Sequence, residues 1–488
     1  MKHLKLISLI IGIVLLLLIM AFLSQNLFVQ AVSDSILYGN RNDVLELYID
    51  SGTAVGEMKP LHGINNGPKS GYELAEDGTS QWKLDATALY QQAGIPIVRT
   101  HDTEYPYGQD LFVDIHCIFP DFSRDPEDPS AYHFEETDQY IAAIAESGAE
   151  ILFRLGESID HSGDNLYINP PEDDQKWAQI CEHIVRHYNE GWADGFYDQI
   201  QYWEIWNEPH NAPMWTGTTE EYCELYCVTA SYLKETHPDI MVGGPALSLT
   251  EFILPFLEFV NNYDDGNVPL DFLSWHLYTD NPAFFGVTAD QIREVLDFYG
   301  YQDTLIFMDE WNYVIDWNSL HEEWENIHSE RGASFDAAAL ITMQYSSIDS
   351  AMYYDGQYVF ADSWCGLYDA QAKPEAGYYA FYYFNQLYQL QTQVAAQRLD
   401  DLNEALYVCA ASNQDRTGVL LTNYKPNDEP QENVIVKFSF SSPASKARIT
   451  VINDHSPNGR TYEKEILSGN VYLKIAPNDV VYIEPVNE

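Results

Sequence analysis

Gln201–Asn211 reads QYWEIWNEPHN. Tyr202, Trp203, Ile205 and Trp206 form the apolar, aromatic run required of a parallel strand buried on both faces. The run then delivers an amide, a carboxylate and a proline: Asn207, Glu208 and Pro209. A second stretch, Thr304–Asn312 (TLIFMDEWN), also runs apolar before it delivers Asp309 and Glu310. Two buried strands that each end in a glutamate supply what a two-carboxylate hydrolase needs.

Outward from these two stretches the same pattern repeats. Short apolar runs occur at Leu61–Asn66, Ile95–Asp102, Glu150–Ser158, Gln201–Pro209, Ile240–Ala246, Phe272–Tyr278, Thr304–Asn312 and Ala351–Gly356. Amphipathic segments separate them, among them Leu84–Ala93, Thr137–Ser147, Asp174–Asn189, Thr219–Thr236, Ala289–Tyr299 and Phe335–Ser346. This alternation predicts the α/β class and, with eight units, a (β/α)8 TIM barrel. An open doubly wound sheet would carry a glycine-rich first turn, and the sequence has none.

Glu375–Leu390 is predicted as the last barrel helix. After about Gln397 the rhythm becomes that of short strands, the first Ala405–Ser412 and the last Val480–Glu484, with turns at Ser456–Gly459 and Ala476–Asp479. That predicts an accessory all-β sandwich, with the alternating strand Val44–Asp50 as an additional member. The expected division is 1–31 as a signal, 32–60 as an N-terminal segment whose strand joins the sandwich, 61–392 as the barrel and 393–488 as the sandwich.

A net charge of −51, from 24 basic and 75 acidic residues, repels phosphate backbones and excludes a nucleic-acid partner. Lys2, His3 and Lys5 precede an apolar run from Leu6 to about Leu23, and small residues follow near Ala31. This reads as a secretory signal cleaved after Ala31, or, if uncleaved, as an N-terminal membrane anchor. Either way the body is expected outside the cytoplasmic membrane. Cysteines 117, 181, 223, 227, 365 and 409 are too few for a disulfide framework in 488 residues and are read as thiols. Glu157, His161 and Asp164 match no metal-ligand spacing, so neither metal nor organic cofactor is expected.

In a barrel of this kind the active site lies at the C-terminal strand ends. Those ends carry His62 and Asn65; Arg99, His101 and Asp102; Arg154 and Glu157. Later strands add Asn207 and Glu208; His276 and Tyr278; Asp309, Glu310 and Trp311; Tyr354 and Asp355. Glycoside hydrolysis needs a proton donor for the leaving oxygen and a second carboxylate at the oxocarbenium-like centre. Glu208 and Glu310, from strands four and seven, fit those tasks. Strand alternation predicts that Asp309 points away from Glu310. Arg154 and Glu157 suit either a buried rim pair or a substrate contact.

The pairing of WEIWNEP with a later strand ending in DEW resembles retaining glycosidases whose two glutamates end barrel strands four and seven. The sequence is most similar to glycoside hydrolase family 39, the β-xylosidase and α-L-iduronidase group. The resemblance rests on Asn207–Glu208, on His276 with Tyr278, on Glu310–Trp311–Asn312, on His62–Asn65 and on Arg99. It implies Glu208 as acid/base and Glu310 as nucleophile, with Asn207, His276, Tyr278, Arg99, His62, His101, Asp102 and Trp311 around the sugar.

Its environment predicts a raised pKa for Glu208, and a nearby cation, Arg99, should keep Glu310 ionised. Asn207 is expected on the sugar 2-hydroxyl, and His276 or Tyr278 against Glu310. Two departures stand out: Asp309 occupies a position where a small residue is expected, and the Arg99–Ser158 region is unlike that of a plain xylosidase. The expected activity is β-xylosidase-like. The alternatives are an arabinofuranoside, arabinopyranoside, galactoside or uronide substrate, or a non-catalytic carbohydrate-binding barrel.

Overall fold

Eight parallel strands close on themselves: β1 (Gly63–Asn65), β2 (Ile97–Arg99), β3 (Glu150–Leu155), β4 (Tyr202–Ile205), β5 (Met241–Leu247), β6 (Phe272–Tyr278), β7 (Leu305–Asn312) and β8 (Ser350–Tyr353). Each pairs in parallel with the next, and β8 pairs with β1. This computed structural model describes residues 44–487 except 75–79, 103–111, 161, 249, 357–364, 370, 399–404, 427–428 and 430. The expected signal, residues 1–31, and His161 therefore lie outside the described residues. Among the described residues no helix is long and apolar enough to cross a membrane.

The helices between strands begin and end where local chemistry dictates. Thr219–Thr236 starts at a capping box in which the Thr218 hydroxyl and the Glu221 side chain each bond the other's backbone N–H. Asp173 caps Asp174–Glu190, whose far end turns on Gly191 in the left-handed region. Their apolar faces and the outer faces of the strands form one large core.

The barrel's lumen is stratified. Its lower part is plugged by Ile97, Leu152, Phe272, Phe307 and Met352. Two residues further along their strands, the same inward direction carries Arg99, Arg154, Glu204, Ser274 and Asp309, all buried. The charged layer thus rests on an apolar floor, in a region where an unpaired charge is costly.

Apart from a two-stranded antiparallel sheet of Lys69–Leu74 and Ser80–Asp85, the remaining described strands form one nine-stranded sheet. Val44–Glu57 lies inside it, antiparallel to Thr392–Arg398 and parallel to Val434–Phe440. Leu47, Ile49, Val394, Leu421, Phe438 and Ile483 come from both halves of the sheet yet share one core, so the sheet folds over on itself as a sandwich. Against the barrel, Tyr424 donates its hydroxyl to the Asp280 carbonyl at 2.6 Å, and Ser334 meets Thr422 at 2.6 Å.

One turn was misplaced by sequence reasoning. Ser456–Gly459 is not a loop; it opens the strand Ser456–Glu465, and the chain reverses at Asp454–His455. Pro457 is tolerated there because this strand is at the sheet edge, where one side of the backbone needs no ladder partner. All six cysteines are free thiols.

Candidate active site

β4 ends at Ile205, and the next three residues set up the site. Trp206 and Glu208 both have positive φ, 72° and 44°. That is costly for side chains of this size and persists only where surroundings over-determine it. Here the Trp206 N–H donates to the Leu155 carbonyl (2.7 Å) and its indole N–H to the Met214 carbonyl (2.9 Å). The Glu208 N–H donates to the Ala246 carbonyl on β5 (3.1 Å). The strained turn aims the Glu208 carboxyl across the barrel mouth.

Facing it is Glu310, on β7. Arg99 Nη1 donates to its Oε1 at 2.9 Å, and His101 Nε2 approaches the same oxygen at 2.6 Å. Tyr278 donates its hydroxyl to Oε2 at 2.7 Å. Burial alone would favour the neutral acid; His276, His101 and Arg99 outweigh it and hold Glu310 well below the usual carboxylate range.

His276 stands between the two glutamates. Its Nδ1 is 2.8 Å from Glu208 Oε1 and 3.5 Å from Glu310 Oε2. Oxygens of the two carboxyls come within 4.8 Å of one another. Asn207 accepts from Arg99 Nη2 at 2.8 Å, and its own Nδ2 is 3.7 Å from the Met214 sulfur. The resulting pocket of about 450 Å³ is lined by His101, Asp102, Glu208, Tyr278, Glu310 and Trp317, among others.

Four expectations change here. Glu208 is not raised: burial pushes it up, but the hydrogen bond and the positive charge of His276 bring it below its ordinary value. Asp309 does not point away from Glu310. The β6–β7 ladder pairs Met308 with Trp275 and then Glu310 with His276, so Asp309 is an extra, bulged residue, and both carboxylates enter the lumen.

Trp311 lies on the outer face of β7, packed on Phe285, Phe335, Tyr353 and Phe381, because alternation resumes after the bulge. His62 precedes β1 and turns outward as well. Its Nε2 meets the Gly94 carbonyl (3.0 Å) and Asn385 (3.3 Å), and its ring sits against Phe384 and Tyr388. Neither residue reaches the pocket.

Arg154 and Glu157 do not pair with each other. Arg154 binds Asp114 at 2.6 Å and Glu157 binds His116. Sequence reasoning overlooked Glu204, which is fully buried and meets Arg99 at 2.7 Å. The available signal was a single carboxylate in the middle of an otherwise apolar strand. Trp317 at the rim was also missed, since it follows the strand-end motif by several residues.

With two carboxyls facing each other across a sugar-sized pocket, the comparison with known proteins is decisive. The profile of Glycosyl hydrolases family 39 matches residues 66–417. The chain belongs to this family. A β-xylosidase from Caldicellulosiruptor saccharolyticus is 32% identical over 132 residues, 26% of this chain and 25% of the relative. A β-xylosidase from Geobacillus stearothermophilus is 30% identical over 188 residues, 36% of each chain. These alignments thus span little more than a third of the relatives' length at most.

The structural likeness is broader. A glucosidase from Croceicoccus marinus superposes with a TM-score of 0.74 at 25% identity, over 92% of this chain and all of that one. A monomeric β-xylosidase from Caulobacter crescentus superposes with a TM-score of 0.67 at 18% identity, over 91% and 99%, and shares the fold. The polar layer beneath the pocket holds a second buried carboxylate, Asp309, beside Glu204.

Proposed function

We propose that this family 39 protein is a β-xylosidase-like glycoside hydrolase that cleaves with retention through a covalent glycosyl-enzyme. The observation that carries the reading is the placement of Glu208 and Glu310, whose oxygens come within 4.8 Å across the pocket. Retaining enzymes hold their two carboxyls about 5–5.5 Å apart, whereas inverting enzymes leave room for a water between them.

Glu310 is the nucleophile. Its Oε1 is fixed by Arg99 and His101, while Oε2, with Tyr278 as donor, keeps a lone pair for the anomeric carbon. Glu208 is the acid/base. The proton it delivers to the leaving oxygen is the one in its hydrogen bond with His276, and sugar binding, by excluding water, favours its transfer onto the carboxylate. After the glycosyl ester forms, Glu310 no longer carries charge, and Glu208 takes a proton from the attacking water. Asn207, with Nδ2 held only by a weak sulfur contact, is placed to donate to a sugar hydroxyl. The basic-then-apolar N-terminus supports a secreted or membrane-anchored location.

The curated relatives' names support xyloside as substrate; the glucosidase among the structural neighbours makes glucoside the second reading. The test is a panel of aryl β-xyloside, β-glucoside, α-arabinofuranoside, β-galactoside and β-glucuronide, with product anomers followed by NMR. Retention with xyloside as best substrate is expected, and Glu310→Gln should abolish it. An inverted product, or full activity in Glu310→Gln, would refute the mechanism; glycan binding without any cleavage would leave a binding protein.

A further inference from the structure

The bulge in β7 places a carboxylate one layer below the pocket, in contact with the machinery above. Asp309 is fully buried, with Oδ2 3.1 Å from Arg99 Nε and Oδ1 3.6 Å from His276 Nε2. Glu204, equally buried, shares the same guanidinium at 2.7 Å. Among the described residues, neither Asp309 oxygen, nor Glu204 Oε1, nor His276 Nε2 has a hydrogen-bond partner of ordinary geometry. One guanidinium therefore faces three carboxyl groups, Glu204, Asp309 and Glu310. Buried charge in that ratio has to be neutralised by retained protons.

Besides His101, which Asp102 and Glu310 hold up at about 9 despite its burial, two groups can retain them. Burial, with Asp309 close by, pushes Glu204 up to about 8, so it stays a neutral acid at neutral and acidic pH. His276 is the other: despite its burial, Glu310 and Asp309 hold it well above the ordinary histidine range. Asp309 thus lies on one side of a charged imidazole whose opposite nitrogen bonds Glu208.

We propose that Asp309 is a positioning residue that acts through His276, holding on that imidazole the proton which Glu208 passes to the leaving oxygen. This rests on the reading of Glu208 as acid/base. The other groups facing the His276–Asp309 pair are Arg99 and His101 from β2, Glu204 on β4 with Glu208 and His210 beyond it, and Glu310 on β7. Tyr278 follows His276 on β6. His210 is lowered by its burial and by His276, against the opposing charge of Glu208. With Asp309 ionised, His276 keeps its proton and shares it with Glu208; without that charge the pair gives the proton up at lower pH.

The test is kcat/KM against pH for the full enzyme on an aryl xyloside with a poor leaving group, which depends on the acid. Asp309→Asn, and Asp309→Thr as a second replacement, should move the alkaline limb down by about 1 pH unit. Glu204→Gln, which replaces a neutral acid by a neutral amide, should leave that limb where it is. Lower kcat with an unmoved limb in the Asp309 variants would overturn the proposal, as would an equal movement in Glu204→Gln.

If neither Asp309 variant folds, an NMR titration of His276 in the wild type decides. An imidazole still charged at pH 8 supports the proposal, and one neutral at pH 7 overturns it. Glu208→Gln separates the two levels of argument. It should cripple kcat/KM for poor leaving groups while sparing kcat/KM for dinitrophenyl glycosides, whose kcat falls because hydrolysis of the glycosyl-enzyme still needs the base. Full activity on both would sink the acid/base assignment itself, whatever Asp309 does.

Discussion

Tyr278 donates its phenol to Oε2 of Glu310 at 2.7 Å from the neighbouring strand, closer than the 3.5 Å at which His276 Nδ1 approaches the same oxygen. The pairing is built into the sheet. β6 and β7 register His276 with Glu310 and Tyr278 with Asn312, so the phenol sits one inward position above the imidazole. A single strand therefore presents one side chain to each glutamate.

Replacing Tyr278 by Phe removes a hydrogen bond to an ionised carboxylate without changing the ring's packing on Trp317. Such bonds contribute about 1.5–3 kcal/mol, so kcat/KM is expected to fall roughly 10- to 100-fold. Loss of a donor to the charged form also raises the Glu310 pKa. The acidic limb of the pH profile should move up accordingly, measured as kcat/KM against pH on an activated aryl glycoside. An unmoved limb would mean that Tyr278 does not act on Glu310.

Most of the barrel was legible because buried parallel strands and amphipathic helices have different periods, and eight alternations leave few topologies. Strand-end positions could be read from the same runs. What could not be read was which strand-end residue turns inward. At β7 the bulge at Asp309 cancels one step of alternation, and nothing local in TLIFMDEWN signals an extra residue. His62 and Trp311 were assigned to the site by motif position alone, although both sit on the helix-facing side. The low pKa of Glu208 was illegible for another reason: its cause, His276, lies 68 residues away.

Two tryptophans on the same chain segment should separate core from site. Trp311 is 0% exposed in an aromatic cluster, whereas Trp317 is 54% exposed on the pocket rim against Tyr278. Trp311→Phe leaves a cavity among Phe285, Phe335 and Phe381, and should cost a few kcal/mol of stability. Trp317→Ala should change the melting temperature little and raise KM for oligosaccharides several-fold, through loss of a flat apolar surface for a sugar ring. Thermal melts and Michaelis curves on both variants check this. A raised KM with full stability in Trp311→Phe would return that residue to the site.

His62 offers a stability readout tied to pH. Burial lowers its pKa from 6.5 to about 4, against hydrogen bonds to Asn385 and Gly94 that favour the charged form. The unfolded chain therefore binds a proton near pH 6.5 that the folded chain refuses until about pH 4. Stability from this group is complete above pH 6.5 and declines as pH falls through that window, by up to about 3 kcal/mol. His62→Gln keeps a donor toward the Gly94 carbonyl but cannot titrate. The variant should melt below the wild type at pH 7.5, because it loses ring contacts with Phe384 and Tyr388. The gap should narrow or close at pH 4.5, while kcat/KM stays at the wild-type value throughout. A gap independent of pH would contradict the burial account, and an altered KM would contradict the placement of His62 outside the pocket.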